Sequence, residues 1–99
     1  MNPLMTILIP TYRNPQFLEH TLHSLLLHTE FPYRIVVLNN DGTDKSKLDC
    51  EKIAAGCQFP AIKVRNLGGN KGWMGAINAG MEDVDTPYVC LLNDDVIFI

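Results

Sequence analysis

The feature that most constrains this chain is an alternation. Short, nearly unbroken apolar runs are separated by segments in which hydrophobic residues recur at helical spacing. A strand covered on both faces reads as a continuous hydrophobic run, whereas a strand with one wet face alternates apolar and polar residues. Residues 4–10 form such a run, closed by Pro10, and residues 34–38, with Ile35, Val36 and Val37, form a second. Residues 61–64 are a weaker third, short and partly polar, and belong toward a sheet edge. Residues 88–92 are a fourth, running straight into Asn93, Asp94 and Asp95. Between the first two runs, Asn14 and Pro15 supply an N-cap residue and a proline at the first helical position, where its missing amide costs nothing. Leu18, Leu22, Leu25 and Leu26 then fall at spacings of three and four, one apolar stripe that can lie on a sheet. Residues 44–55 read as a less regular second helix, with Gly56 as its stop. From about Gly72, the residues Trp73, Ile77, Met81 and Val84 give a third stripe. Gly75 and Gly80 inside it each cost a helix about 1 kcal/mol relative to alanine, so they call for another explanation. The pattern is that of β-α-β units: an α/β, Rossmann-like fold with a mainly parallel sheet of four strands in the order 3-2-1-4 and helices on both faces.

Composition narrows the classes further. A chain of 99 residues, 46% hydrophobic and 19% charged, suits one globular domain spanning 1–99 and leaves no room for a two-domain enzyme. Eight Lys and Arg against eleven Asp and Glu give a net charge of −3, so no basic field exists to hold a nucleic-acid backbone or an anionic membrane. No apolar run approaches the roughly 18–20 residues of a bilayer span. Nor does any Lys or Arg precede Arg13 to give the basic start of a secretory signal. The expected location is cytoplasmic. Cys50, Cys57 and Cys90 are odd in number and lack the close pairing of a zinc or redox motif, which makes them bystander thiols. The sequence ends on Val96, Ile97, Phe98 and Ile99, so the expectation is a domain truncated inside a hydrophobic segment. An apolar sheet edge would then be left open to self-association.

In an open parallel sheet, ligands bind beyond the carboxyl ends of the strands where strand order reverses. With order 3-2-1-4 that point lies between the first and fourth strands, whose ends carry Thr11, Tyr12 and Arg13 on one side and Asn93, Asp94 and Asp95 on the other. Adjacent carboxylates at the end of a buried strand repel unless a cation or water separates them. Hard oxygen ligands suit magnesium or manganese, which take one or two protein carboxylates and fill their other positions with water and phosphates. An acidic turn with no ligand is the plainer alternative. Gly68, Gly69, Asn70, Lys71 and Gly72 form a glycine-rich loop opening a helix, whose amides can face an anion. It lacks the Walker spacing and the dinucleotide fingerprint, and a tight turn with a helix cap explains it equally. Asn39 to Asp44 is dense in turn-forming side chains that could also read a nucleobase edge. His20 and His23 share a helix face but have no third ligand of matching type nearby, so they and His28 read as solvated. Tyr12 and Trp73 could stack on a base or pack as half-buried aromatics.

Taken together, these segments resemble the N-terminal, nucleotide-binding half of family 2 glycosyltransferases, enzymes of the GT-A fold. The resemblance covers nearly the whole chain in order and spacing. Residues 6–14, Thr-Ile-Leu-Ile-Pro-Thr-Tyr-Arg-Asn, look like the family's opening strand and Pro-Thr-Tyr turn. Residues 70–80 match its Asn-x-Gly-x-x-Gly-x-x-Asn-x-Gly helix, which accounts for the glycines that propensity could not. Residues 91–96 look like its DxD-type metal motif.

The resemblance implies a nucleotide-sugar site formed by Pro10, Thr11, Tyr12, Asn39, Asn40, Asn70, Gly72, Asn78, Asn93 and Asp94. It implies Mn2+ or Mg2+ held by Asp95 with help from Asp94, and a donor linked to UDP, dTDP or GDP. The implied reaction is displacement at the anomeric carbon by an acceptor hydroxyl, usually with inversion. The catalytic base and acceptor site are expected beyond residue 99. Two departures stand out: Asn39 replaces the family's usual base-contacting aspartate, and Asn93 replaces the first aspartate of the DxD-type motif. An amide donates as well as accepts, which blurs the preferred base. The competing readings are a non-catalytic nucleotide-binding or interaction module and a nucleotidyltransferase-like enzyme. The latter would carry a basic glycine-rich loop directly after the first strand, where Thr11 to Asn14 stand instead.

Overall fold

The computed structural model describes residues 2–99. The apolar runs become β1 (Met5–Thr11), β2 (Tyr33–Asn39), β3 (Ile62–Asn66) and β4 (Tyr88–Leu91). All pair in parallel, in the order β3-β2-β1-β4. The connecting helices are α1 (Pro15–His28), α2 (Asp44–Gly56) and α3 (Gly72–Met81). This is the expected sheet. β3 is an edge strand that runs further than its apolar core suggests, because register with β2 carries pairing on from Val64 to Arg65 and Asn66.

Why the central runs are unbroken is visible in the layers. Side chains alternate across a strand, so Ile7, Ile9, Ile35 and Val37 meet Leu18, Leu22 and Leu25 of α1 and Cys50 of α2 on one face. Leu8, Val36 and Leu38 meet Ala76 and Ile77 of α3 on the other. Each such side chain contributes about 1.5–3 kcal/mol when fully removed from water. Thr6 is the one polar residue buried inside this run, and Thr86 explains it. Thr86 donates its hydroxyl to the Tyr88 carbonyl at 2.7 Å, which leaves Thr6 to donate to Thr86 at 2.8 Å.

Two local expectations are corrected. Asn14 precedes α1, but its side chain makes no capping hydrogen bond, so Pro15 alone marks the start. The third stripe holds in part: Ile77 and Val84 pack on the core, but Trp73 and Met81 are both 44% exposed, and Ala76 and Gly80 join Ile77 on the face of α3 that meets the sheet. Gly80 lies against Leu38 and Leu8, where an added Cβ would come within 2.7 Å of a Leu38 methyl. Ala76 and Gly80 let the helix approach the sheet beside Ile77, while Trp73, Met74 and Met81 turn outward. At its far end, Arg65 of β3 donates to the Ala79 carbonyl at 2.6 Å, satisfying part of the C-terminal turn of α3.

The three thiols are free. Burial pushes the Cys50 thiol up to about 11, with the carboxylates of Asp49, Glu51 and Asp41 adding to the effect. Thiolate is the reactive form, so iodoacetamide at pH 8 should leave Cys50 unmodified in the folded chain and modify it in urea. Rapid labelling without denaturant would contradict this packing. Among the described residues, no helix is long and apolar enough to cross a membrane.

Candidate functional site

The reversal of strand order places the ends of β1 and β4 side by side. Thr11 is buried at the end of β1, and its hydroxyl donates to Asp94 Oδ2 at 2.7 Å. That bond engages one of the two carboxylate oxygens of Asp94. Asp95 is exposed, as is Asn93.

Asn39 and Asn40 end β2 and its turn, and both are buried. Their side chains point to different work. Asn39 donates to Ser46 Oγ of α2 at 3.1 Å and to Asn66 Oδ1 of β3 at 2.9 Å, so it ties the edge strand and helix together. Asn40 reaches the glycine-rich loop: its Oδ1 accepts from the Lys71 amide at 2.8 Å and its Nδ2 donates to the Gly72 carbonyl at 3.2 Å. The Gly72 amide in turn donates to Asn70 Oδ1 at 2.9 Å. Two loop amides expected to face an anion are therefore taken up by asparagine side chains. Gly72 has φ of +71°, a conformation costly for any residue with a Cβ, which is why glycine stands where the loop becomes α3. The turn after β2 is also close-packed on this loop, since a Cβ at Gly42 would lie 2.6 Å from the Gly68 carbonyl oxygen.

One pair at the site was not legible beforehand. Arg13 adopts φ of +51°, unusual outside glycine and asparagine, and its Nε donates to Asp41 Oδ2 at 3.1 Å. Asp41 also accepts from Thr43 at 3.0 Å. The hydrogen bond from Arg13 holds the Asp41 carboxyl below the usual carboxylate range; burial opposes this and Thr43 assists it. The guanidinium also lies over the Tyr12 ring, 5.0 Å from its centroid, a cation–π contact that steadies the ring. Arg13 and Asp41 sit in different turns, and no local pattern links them.

These turns enclose a cleft of about 360 Å³ lined by Pro10, Thr11, Tyr12, Asn14, Asn40, Asn70, Gly72, Trp73 and Asp94. Seven of the residues expected to bind a nucleotide-sugar thus converge: Pro10, Thr11, Tyr12, Asn40, Asn70, Gly72 and Asp94. Asn14 and Trp73 join them. Asn39, Asn78, Asn93 and Asp95 do not line it; Asn39 is committed beneath the sheet end, and Asn78 is exposed on α3. A wider hollow of about 510 Å³ runs along α2 and the β3 edge, past Ala54, Phe59, Ile62 and Val64, and shares no lining residue with the cleft. Of these two, the smaller has polar groups converging from the ends of β1, β2 and β4, as a binding site at a switch point requires.

Among the described residues, no group of three or more His, Cys, Asp and Glu side chains could hold a metal by itself. Asp94 and Asp95 nonetheless fit a hard divalent ion of the kind that takes one or two carboxylates and completes its shell with water and ligand oxygens. Asp94 lines the cleft with one of its two oxygens engaged by Thr11, and Asp95 is accessible to solvent.

The architecture is shared with solved glycosyltransferases. The mannosyltransferase PcManGT from Pyrobaculum calidifontis, solved with GDP-Man and Mn2+, superposes with a TM-score of 0.83 at 19% identity over 98% of this chain. Residues 1–349 of S. aureus TarS, solved with UDP, superpose with a TM-score of 0.73 at 24% identity over 96% of the chain. This chain spans only 29% and 28% of those two proteins. No curated protein sequence matches it significantly. At these identities the superpositions speak for the fold. The sequence speaks for the lineage: the profile of Glycosyl transferase family 2 matches residues 6–99, from β1 through the acidic turn, and the chain belongs to that family.

Proposed function

We propose that this chain is the donor-binding part of a metal-dependent glycosyltransferase, one that moves a sugar from a UDP-, dTDP- or GDP-linked donor to an acceptor hydroxyl. The observation that carries this reading is the convergence of Thr11, Tyr12, Asn40, Asn70, Gly72 and Asp94, from four separate segments, on one cleft at the strand-order reversal. Tyr12 and Trp73 are half-exposed on its walls and offer ring faces to a base. Asn40 fixes the path of the main chain at Lys71 and Gly72, so the loop presents a set shape to the donor. Thr11 orients Asp94, and Asp94 with Asp95 would hold Mn2+ or Mg2+. When bound, the ion would offset negative charge that grows on the diphosphate as the nucleotide leaves. A carboxylate engaged with a cation is a poor proton acceptor, so neither aspartate is assigned as the base that deprotonates the acceptor.

The test is an amide NMR titration with UDP, dTDP and GDP, each with excess magnesium or substoichiometric manganese. Metal-dependent shifts should appear at Thr11, Asn40, Gly72 and Asp95. Asp95→Asn should weaken metal-supported nucleotide affinity by about tenfold or more while leaving the spectrum dispersed. A wild-type chain whose spectrum ignores all three nucleotides would overturn the donor-site reading. Unchanged metal-supported affinity in Asp95→Asn would remove the metal from it.

A further inference from the structure

One residue beyond β4 the Leu92 amide still donates to the Leu8 carbonyl of β1 at 3.0 Å, and the chain then leaves the sheet through a turn at Asp94 and Asp95. Leu92, Asp94, Val96 and Phe98 are each partly covered, while Asn93, Asp95, Ile97 and Ile99 are each exposed. The partner of this segment is a pair of hydroxyls on α1. Thr21, fully buried, donates to the Asp94 carbonyl at 2.8 Å and accepts from the Val96 amide at 3.1 Å. Ser24, one turn on, accepts from the Phe98 amide at 3.1 Å and donates to the Thr21 carbonyl at 3.1 Å. Leu92 and Phe98 pack against the core beneath α1, which anchors the same face of the segment.

The two hydroxyls hold the main chain on either side of the acidic turn, at the Asp94 carbonyl, the Val96 amide and the Phe98 amide. The turn held in this way sends Asp94 to Thr11 inside the cleft and leaves Asp95 facing solvent. We propose that Thr21 and Ser24 form a lock on the acidic turn that decides which of the two adjacent carboxylates enters the cleft and which stays free beside it. They are positioning residues: neither lines the cleft, and both act through the main chain of residues 94–98. The inference rests on the donor-site reading above, and it adds the part of the molecule that sets its acidic pair.

Thr21→Val keeps the side-chain shape and removes both bonds; Thr21→Ser keeps the hydroxyl; Ser24→Ala frees the Phe98 amide and, within α1, the bond to the Thr21 carbonyl. Hydrogen exchange at the Val96 and Phe98 amides reads the lock directly, and UDP and GDP affinity with and without Mn2+ reads its consequence. In Thr21→Val, exchange at Val96 should accelerate and Mn2+-supported nucleotide affinity should fall by about 10–100-fold, as for other residues that orient metal ligands from behind. Affinity without metal should hold, and Thr21→Ser should restore both readouts. Should Thr21→Val fail to fold, Ser24→Ala carries the test, with faster exchange at Phe98 and a smaller loss of the same kind. Unchanged exchange in these variants overturns the lock, and so does faster exchange with undiminished metal-supported affinity. A wild-type chain that binds no nucleotide with Mn2+ overturns the donor-site reading instead, while the exchange arm still judges the lock.

Discussion

Gly80→Val should destabilise the fold by about 1–3 kcal/mol, the usual cost of forcing extra methyl groups into a filled core. The first added carbon would stand 2.7 and 3.0 Å from the two Leu38 methyls and 3.3 Å from a Leu8 methyl. Leu38 and Leu8 are both fully buried at the centre of the sheet, so neither has free space to turn into. Valine at an ordinary helix position would be a few tenths of a kcal/mol better than glycine, and the clash should outweigh that gain. Urea unfolding followed by circular dichroism checks it, and each kcal/mol should lower the thermal midpoint of a domain this size by about 4–8 °C. An unchanged midpoint would mean that α3 does not sit as close to the sheet as described.

Asn40→Asp should open the glycine-rich loop. The buried amide serves the Lys71 amide and the Gly72 carbonyl at once, one by accepting and the other by donating. Aspartate keeps the acceptor and loses the donor, and its charge would face the Gly72 carbonyl from a site with little solvent. An unsatisfied buried group of this kind costs about 1–3 kcal/mol, more when charged. Nucleotide affinity should fall with it by about tenfold or more, since loop shape is part of the cleft. Asn40→Gln keeps both functions on a longer arm and should lie between the two. Faster hydrogen exchange at Lys71 together with lost affinity supports the assignment; slow exchange and normal binding in Asn40→Asp would refute it.

How far the sequence reveals such features depends on how local their causes are. The central strands were legible because helices cover both faces, leaving the apolar runs of β1 and β2 almost unbroken. Pro15 and the leucines of α1 were legible for the same reason: one element carries the whole signal. Periodicity found α3 and placed Ile77 and Val84 on its packed side, but put Trp73 and Met81 there as well. A stripe of large residues ordinarily marks the core, and here close approach required Ala76 and Gly80, leaving Trp73 and Met81 outside. The cleft residues were marked by strand ends and motif. Their partners were not: Arg13 with Asp41, Asn39 with Asn66 and Thr21 with residues 94–96 are joined only by the fold. Asn39 shows what position alone leaves out, since its amide, at the end of β2, ties β3 and α2 together.

The placement of β1 between β2 and β4 also sets an order in time. β1 and β2 are joined through α1 alone, whereas β4 reaches β1 only after two further crossovers. Contacts between distant parts of a chain carry a larger entropic cost of closure and slow the folding of proteins that depend on them. Thr11 and Asp94 are 83 residues apart. The half of the cleft built from the turns after β1 and β2 can therefore take shape early, and the acidic half arrives last.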